Sequence, residues 1–166
     1  LIKEADLEKL AKGFHYLKEV SEFDIWHDEK CEDLTKKAKE ILNDTNSGEK
    51  LGFTYGVAAK LLNCYLKTIF VTQFIGSLSA TEKEKVSVIH PPIDRLLINS
   101  IKNKLHLIYA DTEIEEKRKF WNSKDIQSWS LYEARDYKKV IGEIKQIQKK
   151  RNQPLWMIEA YWPGHQ

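Results

Sequence analysis

The chain has 166 residues, of which 42% are hydrophobic and 31% are charged, a composition that excludes a disordered segment and fits a folded domain. Its 27 basic and 25 acidic side chains leave a net charge of +2, so overall charge gives no argument for a nucleic-acid or membrane partner. The length suits one domain with its own core. We therefore expect a single helical domain over residues 1–162, followed by a tail at 163–166.

The first half of the chain is predicted to form three helices, because apolar residues recur there at helical spacing. The pattern predicts a helix over about 3–20, a break at Ser21–His27 and a second helix over about 28–43. The third helix is predicted from about Tyr55 to Phe74. Its apolar positions cover most of its circumference, which is typical of a helix at the centre of a fold.

Turn-forming residues and prolines set the boundaries in the middle of the chain. Gly76–Lys85 is predicted to form a loop. Val86–Ile89 is predicted to be extended, because valine and isoleucine favour strands and a residue before proline avoids helix. Pro91 or Pro92 then opens a fourth helix that continues to about Tyr109.

The last third of the chain is also predicted to be helical. The charge-dense segment Asp111–Lys119 forms either a short exposed helix or a loop. Ser130 and Glu133 have the spacing of a capping box, which predicts the start of a fifth helix. Pro154 ends that helix and starts a short last one over Leu155–Tyr161. The chain therefore predicts an all-α fold, a compact bundle of five or six helices with no substantial sheet.

The cysteines, the apolar runs and the absent motifs of the sequence exclude several classes of function. Cys31 and Cys64 form neither a disulfide framework nor a metal-binding pair, so we expect reduced thiols in a cytoplasmic protein. The apolar runs are too short to span a bilayer, and no membrane partner is expected. The five histidines lack metal-ligand spacing, and phosphate-binding and dinucleotide motifs are absent from the sequence. We expect no metal and no cofactor.

Lys60, Asn63 and Lys67 recur on one face of the third predicted helix. Charged residues in such a stripe are most often solvated and need no further role. Alternatively the stripe is the wall of a cleft, where loss of solvation lowers the pKa of a lysine and makes it a nucleophile or a base. Phosphate binding is a further use of such lysines. Lys60 is therefore a candidate catalytic residue, and Asn63 and Lys67 are candidate binding residues.

A second group of polar residues surrounds the double proline. Asp94 falls in the first turn of the fourth predicted helix, where the helix dipole and free backbone amides explain an aspartate without any further function. The same position could aim a catalytic carboxylate into a groove. His90 could cap the helix, and Arg95 could pair with Asp94 or contact a phosphate. Asp94 is a candidate catalytic residue, and His90 and Arg95 are candidate binding residues.

The fifth predicted helix ends in a basic segment that contains Lys149, Lys150 and Arg151. Basic residues at this end interact favourably with the helix dipole. They could also contact a phosphate backbone, and Trp156 and Tyr161 nearby could stack on bases, although aromatic residues more often fill a core. Nucleic acid is therefore one predicted partner.

Two resemblances concern these segments. Gly56–Lys67 has the pattern G-x-A-x-K-L-L-N-x-Y-L-K and His90–Arg95 the pattern H-x-P-x-D-R, and together they resemble a set of bacterial and phage proteins of unknown function. Pro92, Ile93 and Asp94, with Lys60 upstream, are similar to an element of helix-hairpin-helix DNA glycosylases. That resemblance implies that Asp94 assists glycosidic cleavage and that Lys60 attacks the sugar.

Three functions remain open from the sequence. The main prediction is a binding module for nucleic acid or another protein, because no complete catalytic set is present. The second is a base-excision enzyme in which Lys60 and Asp94 lie opposite each other across a groove. The third is a structural or assembly protein in which both segments simply pack helices together.

Overall fold

A computed structural model describes residues 6–44, 52–72 and 76–161. Across these ranges every regular element is helical, which confirms the all-α class. The described α-helices are α1 (Phe23–Asp44), α2 (Tyr55–Leu66), α3 (Ala80–Ser87), α4 (Arg95–Asn103), α5 (Leu105–Ile108), α6 (Asp111–Asn122), α7 (Lys124–Gln127) and α8 (Ala134–Arg151). Short 3₁₀ helices cover Leu7–Lys12, Phe14–Tyr16, Trp129–Leu131 and Leu155–Tyr161, and a π-helical turn covers Lys67–Thr72. The described residues thus form more helices than the five or six predicted, and the predicted tail lies outside them.

The N-terminal predictions are wrong in their local structure. In the described part of the predicted helix over 3–20, from residue 6 onward, two 3₁₀ helices are present instead. Gly13 separates them with a φ of 145°, a conformation that residues with side chains rarely adopt. The predicted break at Ser21–His27 is also wrong, because α1 begins at Phe23. Phe23 and Trp26 are buried and continue the helical spacing of the core residues that follow.

The prediction of a central third helix is confirmed by α2, which packs against α1, α8 and the 3₁₀ helix at Trp129–Leu131. Thr54 caps it by accepting the amide of Val57 at 3.3 Å. Gly56 allows the 3₁₀ segment to approach closely, since a Cβ there would lie 2.1 Å from the carbonyl oxygen of Trp129. The helix continues into the π-helical turn, and its predicted end at Phe74 lies outside the described residues.

The middle of the chain is more helical than predicted. A capping box of Ser79 and Glu82 starts α3 inside the predicted loop, and α3 extends to Ser87 inside the predicted extended segment. The prolines precede α4 rather than open it, because Asp94 is its N-cap and Arg95 its first residue. Lys104 then interrupts the predicted fourth helix and separates α4 from α5.

The C-terminal helices match the prediction in position and differ in how they start. Asp111–Asn122 is helical, which selects the helix over the loop for the charge-dense segment. The predicted capping box at Ser130 does not form, because Glu133 is the N-cap of α8 and makes no side-chain capping bond. The last helix at Leu155–Tyr161 is present as a 3₁₀ helix. Among the described helices, none has the length and apolar character needed to cross a bilayer.

Candidate functional site

A pocket of about 190 Å³ lies between α1 and α8. On one side it is lined by Asp24, His27 and Asp28 of α1, and on the other by Tyr137, Lys138, Ile141, Gly142 and Lys145 of α8. Tyr55 at the start of α2 and His90 in the segment before α4 complete the lining. The charged lining residues are partly exposed, whereas the two histidines are buried, so the histidines form the floor and the charges form the mouth.

The spacing along the two helices explains why these residues meet. Asp24, His27, Asp28 and Cys31 are three or four positions apart, which places them on one face of α1. The same periodicity aligns the residues that α8 contributes. Sequence reasoning missed Asp24 and His27 because it assigned 21–27 to a break, and their helical spacing with Asp28 and Cys31 was the signal that could have found them.

The floor of the pocket holds two histidines that are almost inaccessible to solvent. His27 is 1% exposed and His90 3% exposed, and their ring centroids are 4.5 Å apart. Loss of solvation lowers the pKa of both imidazoles below the usual value, because burial disfavours the charged form. Both rings are therefore neutral at neutral pH, and each has one donor and one acceptor nitrogen.

The contacts of His90 define its tautomer. Asn63 uses both amide hydrogens, donating to the carbonyl oxygen of Pro91 and to the hydroxyl of Tyr137, each at 2.9 Å. The hydroxyl of Tyr137 therefore donates its own hydrogen to Nδ1 of His90 at 3.1 Å. His90 must then carry its proton on Nε2, which donates to Oδ1 of Asp24 at 3.0 Å.

The contacts of His27 extend this series of hydrogen bonds from Asn63 back to Cys31. Its Nε2 donates to Oδ1 of Asn63 at 2.7 Å, which leaves Nδ1 as the acceptor. The thiol of Cys31 lies 3.6 Å from that nitrogen and is a weak donor to it. Donors therefore run in one direction from Cys31 to Asp24, and hydrogen bonds in such a chain polarise one another.

Two carboxylate–lysine pairs border the mouth of the pocket. Asp24 contacts the ammonium group of Lys145 in addition to His90. The hydrogen bond from His90 and the nearby Lys145 hold the pKa of Asp24 below its usual value, so this carboxylate is ionised. Asp28 accepts the hydroxyl of Tyr55 at 2.7 Å and the ammonium group of Lys138 at 2.6 Å.

The histidines of the floor use their ring nitrogens within the protein. An imidazole beside a carboxylate is a common acid–base pair. Here, however, both nitrogens of His27 and of His90 already have partners inside the protein. The floor is thus a polarised, neutral surface without a free base. In the described part of the chain, no three histidine, cysteine or carboxylate side chains are arranged to hold a metal ion.

The two residues predicted to be catalytic lie together, away from the lining of this pocket. Nζ of Lys60 is 3.2 Å from Oδ2 of Asp94, and the same ammonium group lies 4.6 Å from the centre of the Trp129 ring. Oδ1 of Asp94 accepts the amide of Leu97 at 2.9 Å, as the N-cap of α4. The carboxylate therefore caps a helix and neutralises a lysine at the same time.

The other residues of the predicted stripe do not share one cleft. Asn63 is fully buried in the histidine network, so it is not a cleft-wall residue beside Lys60. Lys67 pairs with Glu159, which is only 2% exposed. Of the predicted residues near the prolines, His90 lies in the floor of the pocket, and Arg95 is an exposed first residue of α4.

The basic end of α8 is partly neutralised. Lys150 pairs with Glu113 at 3.1 Å, and the guanidinium group of Arg151 lies 4.7 Å from the centre of the Tyr161 ring. Lys149 is exposed. A nucleic-acid contact by this segment stays a prediction.

Comparisons of this chain with family models, with curated proteins and with solved structures gave no match.

Proposed function

We propose that this chain is a binding domain for a small organic molecule, which it holds in the pocket between α1 and α8. The observation that carries the proposal is the buried, fully hydrogen-bonded floor made by His27, His90 and Tyr137 beneath an open cavity. Pockets for small ligands are typically concave and mostly apolar, with a few fixed polar groups. Ile141 and the aromatic rings provide the apolar part here.

The size of the pocket accommodates about one ring. Its volume of about 190 Å³ is slightly larger than an engineered protein cavity of about 150 Å³ that holds benzene. A molecule of this size would contact both helices simultaneously. It would also reach the exposed charges at the mouth, which lie at the edge of the same cavity.

Binding is favoured over catalysis because the buried network is complete. Burying polar side chains costs free energy unless hydrogen bonds satisfy them. Here the network satisfies both histidines and both amide hydrogens of Asn63 without help from a ligand. The floor is therefore formed before a ligand arrives, and a preformed site avoids the cost of ordering side chains on binding.

The experiment is a titration of ¹⁵N-labelled protein with benzyl alcohol, a neutral molecule with one ring, followed by amide chemical shifts. We expect saturable shifts at Asp28, Ile141 and Gly142, which line the pocket. Ser79 and Glu82, in the capping box of α3, provide the reference that should not move. Shifts that are equally large at α3 would remove the proposal, and so would the absence of pocket shifts with benzyl alcohol and with charged probes of the same size alike.

A base-excision activity is a second candidate, and the separation of 3.2 Å between Lys60 and Asp94 favours it because both groups could contact one substrate. The contacts of Lys60 with a carboxylate and with the face of Trp129 are those of a fixed cation, which argues against a free nucleophile. Borohydride trapping on DNA with an abasic site tests it. An adduct that disappears in Lys60→Met would support the activity, and the absence of any adduct would reject it.

A further inference from the structure

We propose that the ligand of this pocket is an organic cation, an amine whose apolar part is the size of one ring and whose ammonium group binds at Asp24 and Asp28. This inference rests on the proposed function, because it concerns the chemistry of the same pocket. It follows from a difference between the two kinds of charge at the mouth. The carboxylates are fixed from inside the protein, and the lysines approach them from the solvent side.

The carboxylates are held by donors that cannot move freely. His90, which donates to Asp24 at 3.0 Å, is 3% exposed and is itself held by the hydroxyl of Tyr137. Asp28 accepts the hydroxyl of Tyr55, whose side chain is also buried. Because the two aspartates are four positions apart on α1, their carboxylates face the same cavity.

The lysines differ from the carboxylates in flexibility rather than in exposure. The side chains of Lys138 and Lys145 are 60% and 37% exposed, against 26% for Asp28 and 57% for Asp24, but each lysine ends a flexible four-carbon stem. Exposed ion pairs of this kind contribute little to stability, so a competing cation displaces them at small cost. The protein's own ammonium groups thus occupy the positions that a ligand amine would take, and they identify the chemical group that the carboxylates accept.

The charge of the pocket also disfavours the alternatives. A ligand carboxylate at the same position would lie next to two carboxylates, and it could pair with Lys138 or Lys145 only by drawing that lysine away from its aspartate. A neutral ligand would leave the carboxylates with their lysines and gain only the apolar contacts. An ammonium group would bind both carboxylates. It would also contact the rings of Tyr55 and Tyr137, whose centroids are 5.6 Å apart, since cations are attracted to ring faces.

Three probes of nearly equal size and shape separate these cases: benzylamine, benzyl alcohol and benzoate, each titrated into the intact protein by the same amide-shift method. We expect benzylamine to bind at least about fivefold more tightly than benzyl alcohol, and benzoate to bind most weakly. If benzyl alcohol or benzoate binds as tightly as benzylamine, the cation inference is wrong and the binding pocket stands. If none of the three shifts the pocket amides, both the inference and the proposed function are wrong.

Two variants test the roles of the charges. Asp24→Asn removes the charge and keeps an oxygen that can accept the proton of His90, so benzylamine should bind at least about fivefold more weakly while benzyl alcohol changes by less than about twofold. Lys145→Met removes the competing ammonium group, and benzylamine should bind more tightly. Lys139→Met is the control, because Lys139 is an exposed lysine of α8 that pairs with Asp136. Weaker benzylamine binding in Lys145→Met than in this control would overturn the inference.

Discussion

Lys60 and Asp94 form an ion pair of 3.2 Å that connects the middle of α2 to the N-cap of α4. The same carboxylate accepts the amide of Leu97, so one side chain both caps α4 and anchors it to the central helix. The two residues that the sequence presented as a catalytic pair therefore have a structural role that is complete without a substrate.

The two roles of Asp94 can be separated by substitution. Asp94→Ala removes both the cap and the ion pair and should lower the free energy of unfolding by about 1–2 kcal/mol. Asp94→Asn keeps a good N-cap and loses only the partly exposed ion pair, so it should cost less than about 1 kcal/mol. Urea denaturation of both variants measures the difference. Equal losses would mean that the cap is not the main contribution of this carboxylate.

The hydroxyl of Tyr137 joins the two halves of the buried network, and Tyr137→Phe removes only this hydroxyl. That substitution leaves Nδ1 of His90 and one amide hydrogen of Asn63 without their present partner. Unsatisfied buried polar groups cost about 1–3 kcal/mol, so we expect a loss of that size in urea denaturation.

The control for this substitution is Tyr65→Phe. The hydroxyl of Tyr65 donates to the carbonyl oxygen of Leu7 at 3.1 Å, in a partly buried position outside the network. Losing one such bond should cost about 0.5–1.5 kcal/mol. If Tyr137→Phe costs no more than Tyr65→Phe, the hydroxyl of Tyr137 does not satisfy two buried polar groups as assigned.

Lys67 was predicted to bind a ligand, and its pairing with Glu159 instead predicts a large effect on stability. Glu159 is 2% exposed, so Lys67→Met would leave a buried carboxylate without its partner. The expected loss is about 3–5 kcal/mol, and the double variant with Glu159→Gln should recover part of it. Lys139→Met removes a lysine from an exposed pair with Asp136 and should change stability by less than about 1 kcal/mol. Similar losses in the two lysine variants would contradict the buried pairing.

The sequence predicted helices where the apolar spacing was long and regular. The start of α2 at Tyr55 is confirmed for that reason, and α8 is helical as predicted, although it begins at Ala134 and not at the predicted capping box. The predictions are wrong where local sequence rules and core packing favour different structures. Phe23 and Trp26 looked like a break between helices, but their burial extends α1 to include them.

The site could be predicted only in part, because its contacts join distant parts of the chain. Asn63 and His90 were both selected from the sequence, but as members of two separate segments. Tyr137 lies within the fifth predicted helix, and its ring is buried. Nothing local indicates that its hydroxyl meets His90, 47 positions away, since that contact depends on how α8 packs against the segment before α4.

The buried histidines predict a dependence of stability on pH. The folded-state pKa of His27 and of His90 lies below the usual 6.5, so the unfolded chain binds more protons as the pH falls. Stability should be complete above about pH 7.5 and should decrease as the pH falls below about 6.5 towards the folded-state values, by up to about 1.4 kcal/mol per pH unit for each histidine. Urea denaturation between about pH 5 and pH 8 measures this slope.

Two variants test whether the buried histidines cause this dependence of stability on pH. His27→Gln keeps an amide that can donate to Asn63 and removes one titrating group, so it should reduce the slope by about half. His106→Gln is the same substitution at an exposed histidine outside the network, and it serves as the comparison. A slope that is unchanged in His27→Gln would contradict the neutral, buried state of this ring.

The central claim is that the cavity between α1 and α8 holds a ligand, and Gly142 offers the most direct test of it. Gly142 lines the pocket, and apart from its chain neighbours and the backbone of its own helix no heavy atom lies within 4 Å of the position that a Cβ would take. Gly142→Ala and Gly142→Leu should both favour the helix, by about 1 kcal/mol, but only leucine is large enough to fill the pocket.

The measurement is the dissociation constant of benzyl alcohol for these two variants and the wild type, by amide-shift titration. We predict that Gly142→Leu binds at least about tenfold more weakly and that Gly142→Ala stays within about twofold of the wild type. Binding by Gly142→Leu that is as tight as in the wild type would contradict the claim.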